Sequence, residues 1–204
     1  MRVIGLTGSI ACGKSHVSSA LAALGARVID GDLLSRALTA PGGAALPALR
    51  EAFGEGVFHP DGTLNRGTLG RVVFSDAAAL ARLDGIMQPL IRRMTVEGIE
   101  AARAAGWTVC VLDMPLLYEK GLDALCDRVW CVWLPRETQL ERLMARDGLS
   151  RPDAEKRIAS QLSADEKARR ADVVIDTRGT PEETDALLPP LWAEELRLAE
   201  ASLA

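Results

Sequence analysis

Gly8-Ser9-Ile10-Ala11-Cys12-Gly13-Lys14-Ser15 satisfies the pattern G-x-x-x-x-G-K-[ST] at every fixed position. Before it, Arg2 to Leu6 reads as a short buried strand. After it, Val17, Ala20, Leu21 and Leu24 recur at helical spacing, so a helix begins near Lys14 and stops at Gly25. A glycine loop between strand and helix lets successive backbone N–H groups turn inward on phosphate oxygens. The first turn of the helix adds unsatisfied amides and the positive end of its dipole. In such a loop Lys14 reaches the β- and γ-phosphates and the Ser15 hydroxyl ligates Mg²⁺. Gly8, Ala11, Cys12, Gly13, Lys14, Ser15 and His16 are therefore candidate nucleotide contacts. The motif points to nucleoside triphosphate binding and leaves kinase, switch GTPase and ATPase open.

Strand-length apolar runs alternate with helical stretches along the chain. Val28-Ile29, Val109 to Leu112, Val129 to Leu134 and Val173 to Ile175 are β-branched and bounded by Asp, Pro or Thr. With the first strand they predict a five-stranded, largely parallel sheet in a doubly wound α/β domain. The stretch from about 41 to 105 breaks the rhythm and contains no clear strand. Leu80, Leu83, Met87, Leu90 and Met94 form a helical seam within it, which Pro89 is expected to kink or interrupt. The stretch reads as a helical insertion rather than a separate domain. A second helical excursion runs from Glu137 to about Arg170. Leu187, Leu188, Leu191 and Trp192 predict a covering helix over Thr180–Ala204, interrupted at Pro189-Pro190.

Composition narrows the function classes. At 204 residues, 48% hydrophobic and 25% charged, the chain can bury a core and is not a disordered segment. No apolar run approaches the ~18 residues of a membrane span, and the N-terminus lacks the apolar centre of an export signal. A net charge of −4 argues against a nucleic-acid protein that works through a basic surface. Cys12, Cys110, Cys126 and Cys131 show no paired spacing, and His16 and His59 are the only histidines. Neither a disulfide framework nor a zinc site is expected, and a reducing cytoplasm fits. The single asparagine, Asn65, is followed by Arg, so an NKxD guanine-reading element cannot be built. That counts against a switch GTPase.

A kinase also needs a group to orient the attacking hydroxyl. Asp30 and Asp32 follow the second strand and Asp113 ends the third, where open α/β sheets bind ligands. Each could instead cap a helix or end a strand in solvent. Asp113 is placed to serve Mg²⁺. Arg142 and Arg146, four apart, share a helix face suited to phosphate. Cys12 reads first as a small residue filling the serine slot, with a thiol of lowered pKa and sensitivity to oxidants beside a helix N-terminus as the alternative. The open alternatives are a small-molecule kinase and a nucleotide-binding regulatory ATPase with no acceptor.

Several further segments carry a family resemblance. Thr7 to Ser15, Val28-Ile-Asp-Gly-Asp32 with Arg36, Leu64-Asn-Arg66 leading to Val73-Phe74, Pro115-Leu-Leu-Tyr-Glu119, and Arg142 to Gln161 together resemble dephospho-CoA kinase, in the right order from residue 1 to about 180. The resemblance implies transfer of the ATP γ-phosphate to the ribose 3′-hydroxyl of dephospho-CoA. It implies a P-loop kinase-like three-layer sandwich over 1–204, with the core in 1–40, 106–136 and 171–204. A helical acceptor-binding insertion over about 41–105 and a helical lid over about 137–170 would complete it. Asp32 matches the position proposed as general base, and with Ser15 it is a candidate for Mg²⁺. Arg142 matches a lid arginine on the ATP phosphates, with Arg146 in support. Arg36, Leu64, Asn65, Arg66, Pro115, Leu116 and Glu119 would line the acceptor side, and Val173 to Asp176 with Gly179 would lie next to adenine. The chain departs from the family at Ser9, Ala11, Cys12 and His16, at Gln88-Pro89 where His-Pro is common, and at Thr177 where Asn is common.

Overall fold

Five apolar segments pair into one sheet: β1 (Arg2–Gly8), β2 (Arg27–Asp30), β3 (Val109–Asp113), β4 (Arg128–Trp133) and β5 (Val173–Asp176), in the order β2-β3-β1-β4-β5. β1 pairs in parallel with both β3 and β4, and β5 with β4. Parallel strands are covered on both faces, which is why these read as continuous apolar runs. The register sets Leu6 opposite Asp113 and Gly8 opposite Val132, so β1 delivers the glycine loop to the same sheet edge that carries Asp113. The computed structural model describes residues 1–201.

The helices are α1 (Lys14–Ala23), α2 (Gly31–Leu38), α3 (Leu46–Phe53), α4 (Arg66–Ser75), α5 (Ala77–Ala104), α6 (Arg136–Asp147), α7 (Arg151–Ala159), α8 (Ala164–Arg170) and α9 (Pro181–Ala201). The chain divides into two compact units, Met1–Ile29 with Gly98–Ala204, and Asp30–Glu97. Among the described residues no helix is long and apolar enough to cross a membrane.

In the first unit Ile4, Leu6, Val111, Trp130, Val132 and Ile175 from the sheet bury against Val17 and Leu21 of α1 and Leu188 and Trp192 of α9. Full burial of such a side chain contributes about 1.5–3 kcal/mol each. The fully buried Glu195 fastens α9 to the sheet. Its carboxylate accepts from Arg2 Nε (3.0 Å) and from Trp130 Nε1 (3.2 Å), and pairs with Arg128 (3.1 Å). In the second unit Leu38, Leu49, Val57, Phe58, Leu69, Val73 and Met87 form a separate core. An isolated antiparallel bridge joins Phe58 to Leu64 there.

Three local expectations are corrected. Helix α5 runs unbroken through Pro89, because Leu83, Met87, Leu90 and Met94 pack into the second core and outweigh one lost backbone bond. Helix α9 runs through Pro189 and Pro190, both exposed, while Leu188 and Trp192 anchor it from either side. Residues 202–204 of the expected covering helix lie outside the described residues. Leu24 ends the α1 stripe at the helix terminus and is 37% exposed, whereas Leu21 is fully buried. Leu21→Ala is therefore expected to cost about 2–5 kcal/mol in chemical denaturation and Leu24→Ala less than about 0.5 kcal/mol.

Candidate functional site

The loop leaves β1 at Gly8, where a side chain does not fit. A Cβ on Gly8 would stand 2.6 Å from Cys12 Sγ and 2.7 Å from the Val132 carbonyl oxygen. Ala11 (φ 61°) and Gly13 (φ 86°) both lie in the left-handed region, and Ala11 is the one described residue other than glycine to do so. Gly13 caps α1 without a side-chain bond, and the first turn carries no acidic residue. Among the described residues the backbone N–H groups of Ala11, Gly13 and Ser15 have no protein acceptor. A helix N-terminus with spare amides and no competing carboxylate attracts an anion.

The protein holds the loop from behind. Gln139 Nε2 donates to the Ile10 carbonyl (2.7 Å), the Ile10 N–H donates to Gln161 Oε1 (3.2 Å), and Ser9 Oγ donates to the Leu162 carbonyl (3.1 Å). On the other flank Thr177 Oγ1 donates to the Cys12 carbonyl (2.7 Å). Ile10 and Ala11 also pack on a small core of Leu140, Leu143, Ala154 and Ile158 from α6 and α7. The helices over 136–170 thus touch the loop itself.

Lys14 forms an ion pair with Asp113, which puts the two charged groups of the loop and the β3 edge in contact. Ser15 is exposed, with no side-chain hydrogen bond among the described residues. Arg142 Nη2 donates to the Thr177 carbonyl (2.8 Å), so this arginine stands over the end of β5. Gly13, His16, Arg142, Thr177, Gly179 and Pro181 line an open cleft there. His16 pairs with Asp185 at 2.8 Å. Arg146, unlike Arg142, is turned to its neighbour Asp147, which also takes Arg157.

In the second unit the Asp30-Gly31-Asp32 sequence resolves into two jobs. Asp30 caps α2, its Oδ1 accepting from the N–H groups of Asp32 (2.8 Å) and Leu33 (3.1 Å). Asp32 is exposed, and among the described residues its carboxylate has no partner. Asn65 is spent on structure, capping α4 through Thr68 N–H (3.0 Å). Arg66 reaches the end of α2, donating to the Arg36 carbonyl (3.3 Å) and to Thr39 Oγ1. Ser35, Leu64, Arg66, Val73, Phe74 and Met87 line an apolar cleft in this unit. Arg36 is exposed.

The segment after β3 is tied into the first unit. The Pro115 carbonyl accepts from Thr7 Oγ1 (3.2 Å), Leu116 begins a turn closed by Lys120 N–H (3.1 Å), and Glu119 Oε1 accepts from Leu162 N–H (2.9 Å). Sequence reading missed Lys167, a fully buried lysine on α8 that meets both Pro115 and Glu119. Its spacing of three from Ala164, also buried, was the available signal. Gln139, Gln161 and the anchoring role of Thr177 were missed as well, because their bonds run to backbone atoms far away in sequence.

For Cys12 the space-filling reading holds and the reactive alternative does not. Cys12 is 1% exposed within the main core, and burial pushes the thiol up. The Lys14 N–H and the charges of Lys14 and Lys167 pull it down by less. Cys12 fills the space under Gly8 instead. Ala11, by contrast, carries a real backbone cost, since a left-handed alanine lies roughly 1–2 kcal/mol above a right-handed one. Ala11→Gly is expected to hold or raise stability, by up to about 1 kcal/mol in denaturant titration.

A family model for dephospho-CoA kinase matches residues 2–183. A dephospho-CoA kinase of Symbiobacterium thermophilum is 49% identical over 94% of this chain and 80% of its own length. One from Geobacter sulfurreducens is 47% identical over 95% and 98%. Among solved structures, dephospho-CoA kinase from Campylobacter jejuni is 25% identical and superposes with a TM-score of 0.65 over 95% of this chain and 97% of that one. A match along the full order of elements, from the glycine loop to β5, places this chain in the dephospho-CoA kinase family.

Proposed function

We propose that the chain transfers the γ-phosphoryl group of ATP to the ribose 3′-hydroxyl of dephospho-CoA, giving coenzyme A and ADP in the cytoplasm. The observation that carries this reading is the family match over residues 2–183, on a chain whose glycine loop is curled and whose Ala11, Gly13 and Ser15 amides have no acceptor among the described residues. Phosphoryl transfer demands little covalent chemistry of a protein, so positioning and charge stabilisation do most of the work.

The loop amides and Lys14 hold the phosphate tail. Lys14 leaves Asp113 as the phosphates arrive, exchanging one anionic partner for another. Arg142, already over the β5 end, steadies the nucleotide from the lid side, with Arg146 behind it. Asp32 takes the proton of the acceptor hydroxyl. Its carboxylate is exposed and unpartnered because Asp30 does the capping. Arg36, Leu64 and Arg66 are proposed acceptor contacts of the second unit, with Asn65 shaping that wall through its cap, and Pro115, Leu116 and Glu119 are proposed acceptor contacts of the first.

The donor set fits Mg²⁺. In the first unit Ser15 offers a hydroxyl and Asp113 a carboxylate, Asp32 offers a carboxylate in the second, and among the described residues no three His, Cys, Asp or Glu side chains gather into a metal cluster. Hard oxygen donors supplemented by substrate phosphates are how Mg²⁺ is usually held. Bound there, the ion would neutralise charge on the phosphate oxygens. The Ser15 hydroxyl and the Asp113 carboxylate, freed from Lys14, are the side chains that would hold it.

ADP release, measured with dephospho-CoA, shikimate, nucleosides and no acceptor side by side, tests this reading. Turnover is expected with dephospho-CoA alone, and slow hydrolysis that no alcohol changes would refute it. In the same assay Asp32→Asn is expected to bind ATP normally and to lose about 10²-fold or more in kcat.

A further inference from the structure

We infer that Lys167 is a positioning residue of the phosphate site, because its buried ammonium holds Pro115 and Glu119, through which the two residues flanking Gly8 are bonded. The inference rests on the proposed role of the glycine loop in gripping ATP. Two separate relays meet at this one cation. Lys167 Nζ donates to the Pro115 carbonyl (2.5 Å), and the same oxygen accepts from Thr7 Oγ1 (3.2 Å). Nζ also pairs with Glu119 Oε1 (3.0 Å). That oxygen accepts from Leu162 N–H (2.9 Å), and the Leu162 carbonyl accepts from Ser9 Oγ (3.1 Å). Thr7 and Ser9 are thereby fixed from one point.

The cation is costly where it sits. Lys167 is fully buried, and a lysine there is tolerated only when its charge is paired and its hydrogens are used. Neutralising Glu119 would need only the ion pair. The second bond, to a carbonyl shared with Thr7, satisfies a further ammonium hydrogen and also ties Lys167 to the strand end that leads into the loop. Lys167 touches neither the loop amides nor Lys14, so its effect passes through Pro115 and Glu119. A small misplacement of groups that cradle a reacting ligand is enough to be read in binding and rate.

ATP is titrated calorimetrically, without acceptor, into the wild-type chain and into Lys167→Met. Stoichiometry counts folded molecules, and Kd reads the loop. Full stoichiometry with Kd weakened about tenfold or more is expected. Reduced stoichiometry with an unchanged Kd would mean that Lys167 only supports the fold, and would overturn the inference. If Lys167→Met does not fold, the double variant Lys167→Met/Glu119→Gln removes both buried charges together. The same loss of affinity is expected of it, and a wild-type Kd would reduce Lys167 to a counter-ion and overturn the inference. Wild-type protein that binds ATP but forms no phosphorylated acceptor would defeat the proposed reaction while leaving the titration to judge Lys167.

Discussion

Gly8 has no room for a side chain, and much of the molecule follows from that. Cys12 sulfur and the Val132 carbonyl crowd it, so only glycine fits where the loop leaves β1. The turn forces Ala11 and Gly13 into left-handed backbone. It also leaves the amides of Ala11, Gly13 and Ser15 without protein acceptors at the head of α1. Spare amides at such a point are an electrostatic trap for anions, set before any ligand arrives.

Holding that trap open takes support on two sides. Gln139, Gln161 and Leu162 grip Ser9 and Ile10, and Thr177 grips the Cys12 carbonyl. The helices from α6 to α8 are therefore part of the loop's scaffold as well as a cover beside it. Arg142 belongs to the same construction, since its bond to Thr177 sets it over the end of β5. The Lys14–Asp113 pair keeps two charges satisfied beside the loop. A site arranged in advance loses little free energy to reorganisation when the ligand binds.

The five strands and the glycine loop were legible because their signals are local. Buried parallel strands read as β-branched runs, and the loop carries its own residue pattern. The prolines misled for the opposite reason. Pro89 and Pro189-Pro190 carry a local penalty, but the apolar contacts of Met87, Leu188 and Trp192 that outweigh it come from distant chain. Asp30-Gly31-Asp32 could not say which carboxylate caps α2, since either could have reached back to the helix. The reactive alternative for Cys12 arises because its position beside a helix N-terminus is visible in the sequence and its burial is not. Lys167 was invisible for a related reason: its partners include a backbone oxygen at Pro115, which no side-chain pattern records.

The grip of the loop on a triphosphate is open to direct observation in the amide NMR spectrum as ATP is added. Saturable 1:1 shifts are expected at the N–H groups of Gly13, Lys14 and Ser15, larger than those anywhere in residues 30–97. Saturation with these amides unmoved and the main shifts elsewhere would contradict it.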